Sequence, residues 1–364
     1  MDKIRILYYG LSTKQGGIEI YLKKIFDNIN KEQFELSYIK VADKVCFEEY
    51  LSNHGTSFFR IPSRKNPIVH YKSLRKIFSE NHFDIVHLSI NTLSYSELIF
   101  EALKHGCKVI VHSHSSNNAG SRITMILHKI NKFLLRDKPI TRIAVSKIAG
   151  QWLFGKHKPF SVYPNGVNTD KFSFDLIARE LIRKEYNIKK DEILIGHIGH
   201  LAYPKNQSFL IKIMFKLLNI NKNYKLMLVG DGADKKNLIA LAQKFEIEDS
   251  IIFAGAQTHT NNFYCAFDIF AFPSFFEGFG NVVLEAQVSG LPTIVSDSII
   301  DEIIISKNVI KMPLIEDCWV NYILNLSLND KRIESQNVVE NAGFGVNVEI
   351  KRLESLYVKC ITCL

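Results

Sequence analysis

Nowhere in the chain does an apolar run approach the roughly 18 residues that a membrane-spanning helix needs, so no segment reads as one. Cysteine is scarce. Six residues (Cys46, Cys107, Cys265, Cys318, Cys360 and Cys363) are scattered through 364 positions, which argues against a disulfide scaffold and fits a reducing cytoplasm. Cys360 and Cys363 form a Cys-x-x-Cys pair, but no second pair or flanking histidine accompanies them, and metal or redox chemistry is not expected there. The opening MDKIRILYYGLSTKQGG has an acidic second residue, an apolar stretch too short for a secretion signal and no small-residue cleavage site, so it reads as a first strand. Short-period repeats and low-complexity tracts are also missing. Finally, residues 245–306 contain no lysine or arginine, which leaves few cations for an anion bound by the second half of the chain.

What is present is a globular composition. The apolar fraction is 46 %, with 25 Phe and 14 Tyr, ample for burial, and the length suits two domains. Charge divides unevenly. Residues 1–170 carry 25 Lys and Arg against 14 Asp and Glu, and residues 171–364 carry 21 against 23. A basic N-terminal half fits an anionic partner such as a membrane surface, a phosphorylated lipid or nucleic acid; a solubilising surface is the alternative.

Short β-rich runs alternate with helical patterns along most of the chain, from IRILYYG and IEIYLKKIFDNI to KVIVHSH and RIAVS. That alternation predicts βαβ units and a parallel sheet. A Pro-Asn-Gly turn within VYPNGVNTDKF interrupts it at residues 162–172, and it restarts at EILIGHIGHL. We therefore expect two doubly wound α/β domains, 1–165 and 166–345, facing across a ligand cleft, with a C-terminal helix in 346–364 packing back on the first.

The stretch SFFEGFGNVVLEAQVSGLP sets Glu277 and Glu285 eight positions apart around a helix start near Gly280 or Asn281. Free amides at that start make an anion site suited to a phosphate. Glu285 falls about four residues into the helix, roughly 6 Å along its axis, about the reach from a diphosphate to its ribose. Glu277 projects to the other side, where a nucleotide sugar carries its sugar hydroxyls. Alternatively, both acids only complement the helix dipole. Lys205, opening the helix after GHIGHLAYPKN, is placed to meet a diphosphate. Gly230-Asp231-Gly232 lacks the third glycine of a dinucleotide fingerprint and reads as a structural turn.

In the first half, Gly16 and Gly17 at a helix start either let backbone approach a phosphate or form a ligand-free turn. His112 and His114 alternate onto one face after a strand; without a third ligand at a recognisable spacing, zinc is not expected, and one histidine directed into the cleft is the better use. The run SRITMILHKINKFLLRDK, 121–138, interleaves Arg122, His128, Lys129, Lys132 and Arg136 with apolar residues. Such a helix can lie on an anionic membrane, but the preferred reading is a surface helix with its apolar stripe on the core.

Together these positions resemble the GT-B glycosyltransferases of family 4, with their Glu-x7-Glu signature at Glu277 and Glu285. The similarity also takes in the Gly16-Gly17 loop, HSHSS, AVS at 144–146, PNGVN at 164–168, GHLAYPKN, LVGDG and FAG, in the family's order. Within the family the chain is similar to bacterial capsular and exopolysaccharide enzymes. The resemblance implies retaining, metal-independent sugar transfer with no cofactor, from a nucleotide sugar, UDP-linked in the favoured reading, to a lipid-linked or oligosaccharide acceptor. It implies that Glu285 holds the ribose, Glu277 a sugar hydroxyl, and the Gly278-Phe279-Gly280-Asn281 segment the donor, with amides of Gly280 and Asn281 meeting phosphate or sugar. Lys205 would stabilise the leaving diphosphate, and His114 would stand near the anomeric centre. The enzyme would be cytoplasmic, peripheral on the inner membrane face.

His200 departs from the pattern, standing in this donor region where the family usually has Arg. Loss of a permanent, two-pronged cation weakens the expected diphosphate site. Two other readings therefore stay open: a nucleotide-sugar epimerase of the same architecture, and a binding protein that has lost turnover. Nucleic-acid binding ranks last, because no recognised module occurs.

Overall fold

The computed structural model describes residues 2–116, 121–328, 332 and 336–362. The chain forms two compact units, Met1–Asn165 with Val346–Leu364, and Gly166–Gly345.

The first unit is built on seven parallel strands: β1 (Ile4–Tyr9), β2 (Phe34–Lys40), β3 (Ser57–Arg60), β4 (Ile85–Ile90), β5 (Lys108–Ser113), β6 (Ile140–Ala144) and β7 (Ser161–Val162), in the order β3-β2-β1-β4-β5-β6-β7. The second has six: β8 (Ile193–Ile198), β9 (Tyr224–Val229), β10 (Ile251–Gly255), β11 (Ile269–Phe272), β12 (Thr293–Ser296) and β13 (Val309–Met312), in the order β10-β9-β8-β11-β12-β13, again parallel. Each order reverses once, between β1 and β4 and between β8 and β11. Ligands of doubly wound sheets bind beyond the strand ends at such a reversal.

Burial explains the strands. All six residues of β4 are buried, as both covered faces of a central parallel strand require. The C-terminal helix Val346–Thr362 sends Val346, Ile350, Leu353 and Tyr357, spaced four, three and four, into the core built on β1, β2 and the helix Gly17–Asn28. In the second unit the helix Gln207–Ile220 buries Phe209, Leu210, Ile213, Met214 and Leu217 against β8, β9 and Trp319.

The Gly230-Asp231-Gly232 turn has the structural use expected of it. A Cβ on Gly230 would lie 2.0 Å from the Gly199 carbonyl oxygen, and one on Gly232 would lie 2.2 Å from that of Leu201. Only glycine lets these two loops touch.

One expectation is overturned. The helix Arg122–Leu134 does not put its apolar stripe on the core: it buries His128, Asn131 and, just past its end, Leu135, while Ile123, Ile126, Ile130 and Phe133 are exposed. The reason is the backbone of Leu93, whose N–H donates to His128 Nδ1 at 3.1 Å and whose carbonyl accepts from Asn131 Nδ2 at 2.7 Å. Buried backbone groups need partners, and two polar side chains three positions apart supply them from one face. His128 is also stacked on Trp152, ring centroids 5.1 Å apart. The polar face is thereby fixed inward.

Candidate active site

In the second unit, two loops leave the strands that flank the sheet reversal and are tied together. Phe275 N donates to Pro204 O at 2.9 Å, Asn206 Nδ2 donates to Pro273 O at 3.2 Å, and the rings of Tyr203 and Phe275 stack at 5.1 Å. Lys205 does not open the following α-helix. It ends a short 3-10 turn, Tyr203–Lys205; Asn206 follows in the left-handed region (φ 54°), and the α-helix begins at Gln207. The extra turn swings Lys205 toward the neighbouring loop, and its Nζ sits 2.5 Å from Glu277 Oε1 and 5.0 Å from the centre of the Phe272 ring. Both charged side chains are largely sheltered, at 23 % and 12 % exposure. Sheltering strengthens their attraction relative to a surface pair.

The helix after β11 runs Asn281–Val288, with Gly280 at its N-cap in the left-handed region (φ 95°). Glycine takes that conformation without strain, and it turns the chain so that the first amides of the helix follow the Glu277 loop directly. Gly278 and Asn281 are partly exposed, whereas the Phe279 side chain is buried and packs on Phe344, so Phe279 can meet a ligand only through its backbone. Glu285 is the fifth residue of the helix and accepts from the Tyr264 hydroxyl at 2.7 Å. Burial holds the Tyr264 hydroxyl protonated, its pKa well above the usual value, so it acts as donor.

His200 is exposed, and only its carbonyl enters the local network, accepting from Gln207 Nε2 at 3.0 Å. Gln207 Nε2 also donates to His197 Nε2 at 3.1 Å, while His197 Nδ1 donates to Ala271 O at 2.9 Å. Burial pulls His197 down to about 4, so the ring is neutral and pins β8 to β11. Gln207, His197 and Tyr264 escape the sequence reading. Tyr264 stands 21 positions before Glu285, and only the fold brings them together.

In the first unit, Gly16 is the N-cap of the helix Gly17–Asn28 with extended backbone, and a Cβ on Gly17 would meet nothing within 4 Å. The fold itself does not require glycine at 17. His112 and His114 do share a face: their ring centroids are 4.1 Å apart, and Tyr21 packs on both, with its hydroxyl 3.3 Å from His112 Nδ1. Burial drives both imidazoles well below their ordinary pKa, so both are neutral. Beyond them lies His87, whose Nδ1 is 2.7 Å from the Tyr357 hydroxyl. Among the described residues no three His, Cys, Asp or Glu are grouped to hold a metal ion. Cys363 lies outside the described residues.

Two family descriptions match the chain, Glycosyltransferase Family 4 over residues 15–171 and Glycosyl transferases group 1 over residues 178–342. The chain belongs to this glycosyltransferase family. Over 99 % of its length and 98 % of the relative's, this glycosyltransferase is 24 % identical to the UDP-Gal:alpha-D-GlcNAc-diphosphoundecaprenol alpha-1,3-galactosyltransferase of Escherichia coli. Its fold is shared with a glycosyltransferase from Rickettsia africae ESF-5 (TM-score 0.82, 18 % identity, all of both chains). It is shared too with Anabaena Alr3699/HepE, solved in complex with UDP and glucose (TM-score 0.78, 19 % identity, 98 % of this chain and 99 % of that one). The architecture is therefore GT-B.

Proposed function

We propose that this glycosyltransferase moves a sugar from a UDP-sugar to a lipid-linked oligosaccharide of cell-surface polysaccharide synthesis, such as a capsule or exopolysaccharide. It does so with retention of configuration, without a metal, and from the inner face of a membrane. The observation that carries the donor half is the Lys205–Glu277 pair held beside the start of the helix Asn281–Val288, with Glu285 one turn further on. The helix amides and Lys205 take the diphosphate, Glu285 takes the ribose diol, and Glu277 is left to a sugar hydroxyl. Charge on the diphosphate grows as the glycosidic bond breaks, so Lys205 binds the transition state more tightly than the ground state and acts on rate. A fixed cation in this position does the work that a divalent ion would otherwise do. His114, neutral, offers a hydrogen bond rather than a charge to the sugar; no protein nucleophile is assigned.

Support for the substrates comes from relatives: the Escherichia coli enzyme is named for UDP-Gal and a diphosphoundecaprenol acceptor, and HepE is solved with UDP and glucose. The test is calorimetric titration of UDP, GDP and ADP into the wild type and Glu285→Ala, followed by transfer assays with UDP-sugars in the presence of EDTA. Selective UDP binding, weakened by the substitution, and EDTA-resistant transfer are expected. No nucleotide binding by folded protein would overturn the donor site, and loss of transfer in EDTA would overturn metal independence.

A further inference from the structure

The helix Arg122–Leu134 presents to solvent a stripe that soluble helices usually bury. Ile123 (70 % exposed), Ile126 (57 %), Ile130 (49 %) and Phe133 (67 %) fall at intervals of three, four and three, so they lie in one line along the helix. Arg122 and Lys129 form a second line seven residues apart, which Arg136 extends just past the helix end. Residues 102–136 contain no Asp or Glu; the next acid, Asp137, pairs with Arg136 at 2.9 Å and with Lys158 at 2.9 Å. Opposite the stripe, His128 and Asn131 anchor the helix to the backbone of Leu93, so the helix cannot roll its apolar side inward without leaving buried polar groups unpaired.

We infer that this outward face is a membrane-docking surface: the helix lies flat on an anionic lipid bilayer, with Ile123, Ile126, Ile130 and Phe133 inserted among the acyl chains and Arg122, Lys129 and Arg136 against the headgroups. Charge decides the occupant. A row of cations beside the stripe complements an anionic lipid surface, whereas a second copy of the same face would bring like charges together. The inference rests on the proposed membrane-side transfer and names the surface that effects it.

The experiment is co-sedimentation of the full chain with vesicles of phosphatidylcholine alone or mixed with phosphatidylglycerol, at low and high salt. Wild type, Ile126→Ser/Phe133→Ser and Arg122→Gln/Lys129→Gln are compared, each checked for folding by thermal melting and for UDP binding by calorimetry. Partitioning of the wild type to phosphatidylglycerol vesicles is expected to fall at least about tenfold in the apolar double variant. In the basic variant the loss is confined to the salt-sensitive part. Equal partitioning of all three proteins, or no binding by the wild type, overturns the inference. So does a wild-type dimer in sedimentation equilibrium that Ile126→Ser/Phe133→Ser breaks apart, which assigns the stripe to a second copy. Transfer to a soluble acceptor without vesicle binding would sink the docking surface and leave the transferase reading standing; vesicle binding without nucleotide binding would do the reverse.

Discussion

The two units share a strand order up to the seventh strand of the first, yet the polar side chains they shelter differ. In the second unit the loops carry charge: Lys205 against Glu277, and Glu285 held by Tyr264. In the first unit β4 and the end of β5 hold neutral rings, His112 and His114 packed on Tyr21 and His87 joined to Tyr357, while in the loop after β1 the Ser12 N–H donates to Glu19 Oε1 at 3.1 Å. The same topology thus carries a sheltered Lys205–Glu277 pair at the reversal of one unit and a cluster of neutral rings on β4 and β5 of the other. Identity of fold says where a ligand sits; the side chains at the loop say what kind.

The sharpest way to break this contrast is to remove the charge. Lys205→Ala is expected to lower kcat by about 10²–10³, the usual cost of deleting a group aimed at transition-state charge. The change should fall on kcat more than on KM, read in steady-state transfer assays. An equal loss in UDP affinity would instead make Lys205 a ground-state binder. The carboxylate one turn into the helix should act on binding. Glu285→Ala is expected to weaken UDP by about tenfold to a hundredfold, as charged hydrogen bonds to a diol contribute about 1.5–3 kcal/mol. Tyr264→Phe, which removes the Tyr264 hydroxyl from Glu285 Oε2, is expected to lose less, and to lose it for UDP but not for 2′,3′-dideoxy-UDP. A loss equal for both nucleotides would show that Tyr264 only supports the fold.

The neutral cluster predicts an acid lability of the first unit. Burial holds His87 at about 3 and His112 well below 6.5, against about 6.5 for an unfolded histidine. Above pH 6.5 both states are neutral and nothing is lost. Below it the unfolded chain takes up protons that the folded core refuses, so stability falls with pH by about 1.4 kcal/mol per unit for each ring. The second unit has His197 as its one fully buried counterpart among the described residues, held at about 4. Hydrogen exchange followed by mass spectrometry at pH 7 and 5.5, corrected for intrinsic rates, should show the first unit losing more protection. Equal loss in both units would refute the link to these rings.

Much of this was legible before folding because it is local. Alternating strand and helix patterns locate β1 through β6, and a glycine before an apolar helix marks the start at Asn281. Edge strands were harder: β7 has two residues, and β13 is only half-buried, so neither leaves a periodic signal. The helix Arg122–Leu134 shows the limit most clearly against Gln207–Ile220. Both carry apolar residues at helical spacing, and only the second buries them. The deciding partner of the first, the backbone of Leu93, stands 35 positions before His128. No window along the helix contains it. For the same reason the extra turn at Tyr203–Lys205 and the tie between Tyr264 and Glu285 became visible only with the fold.

The smallest effect is expected at His200, and it bears on how many cations the charged site needs. The ring is exposed, and the local network uses the carbonyl of this residue, which any side chain leaves in place. His200→Arg should therefore keep the fold and change transfer by no more than about twofold, the range of surface substitutions that disturb no buried partner. If Arg adds a second, two-pronged contact to the diphosphate, UDP affinity rises in calorimetry. If transfer is abolished in a folded protein, the imidazole itself takes part, and the charged side of the comparison then contains a group that Lys205 and Glu277 do not replace.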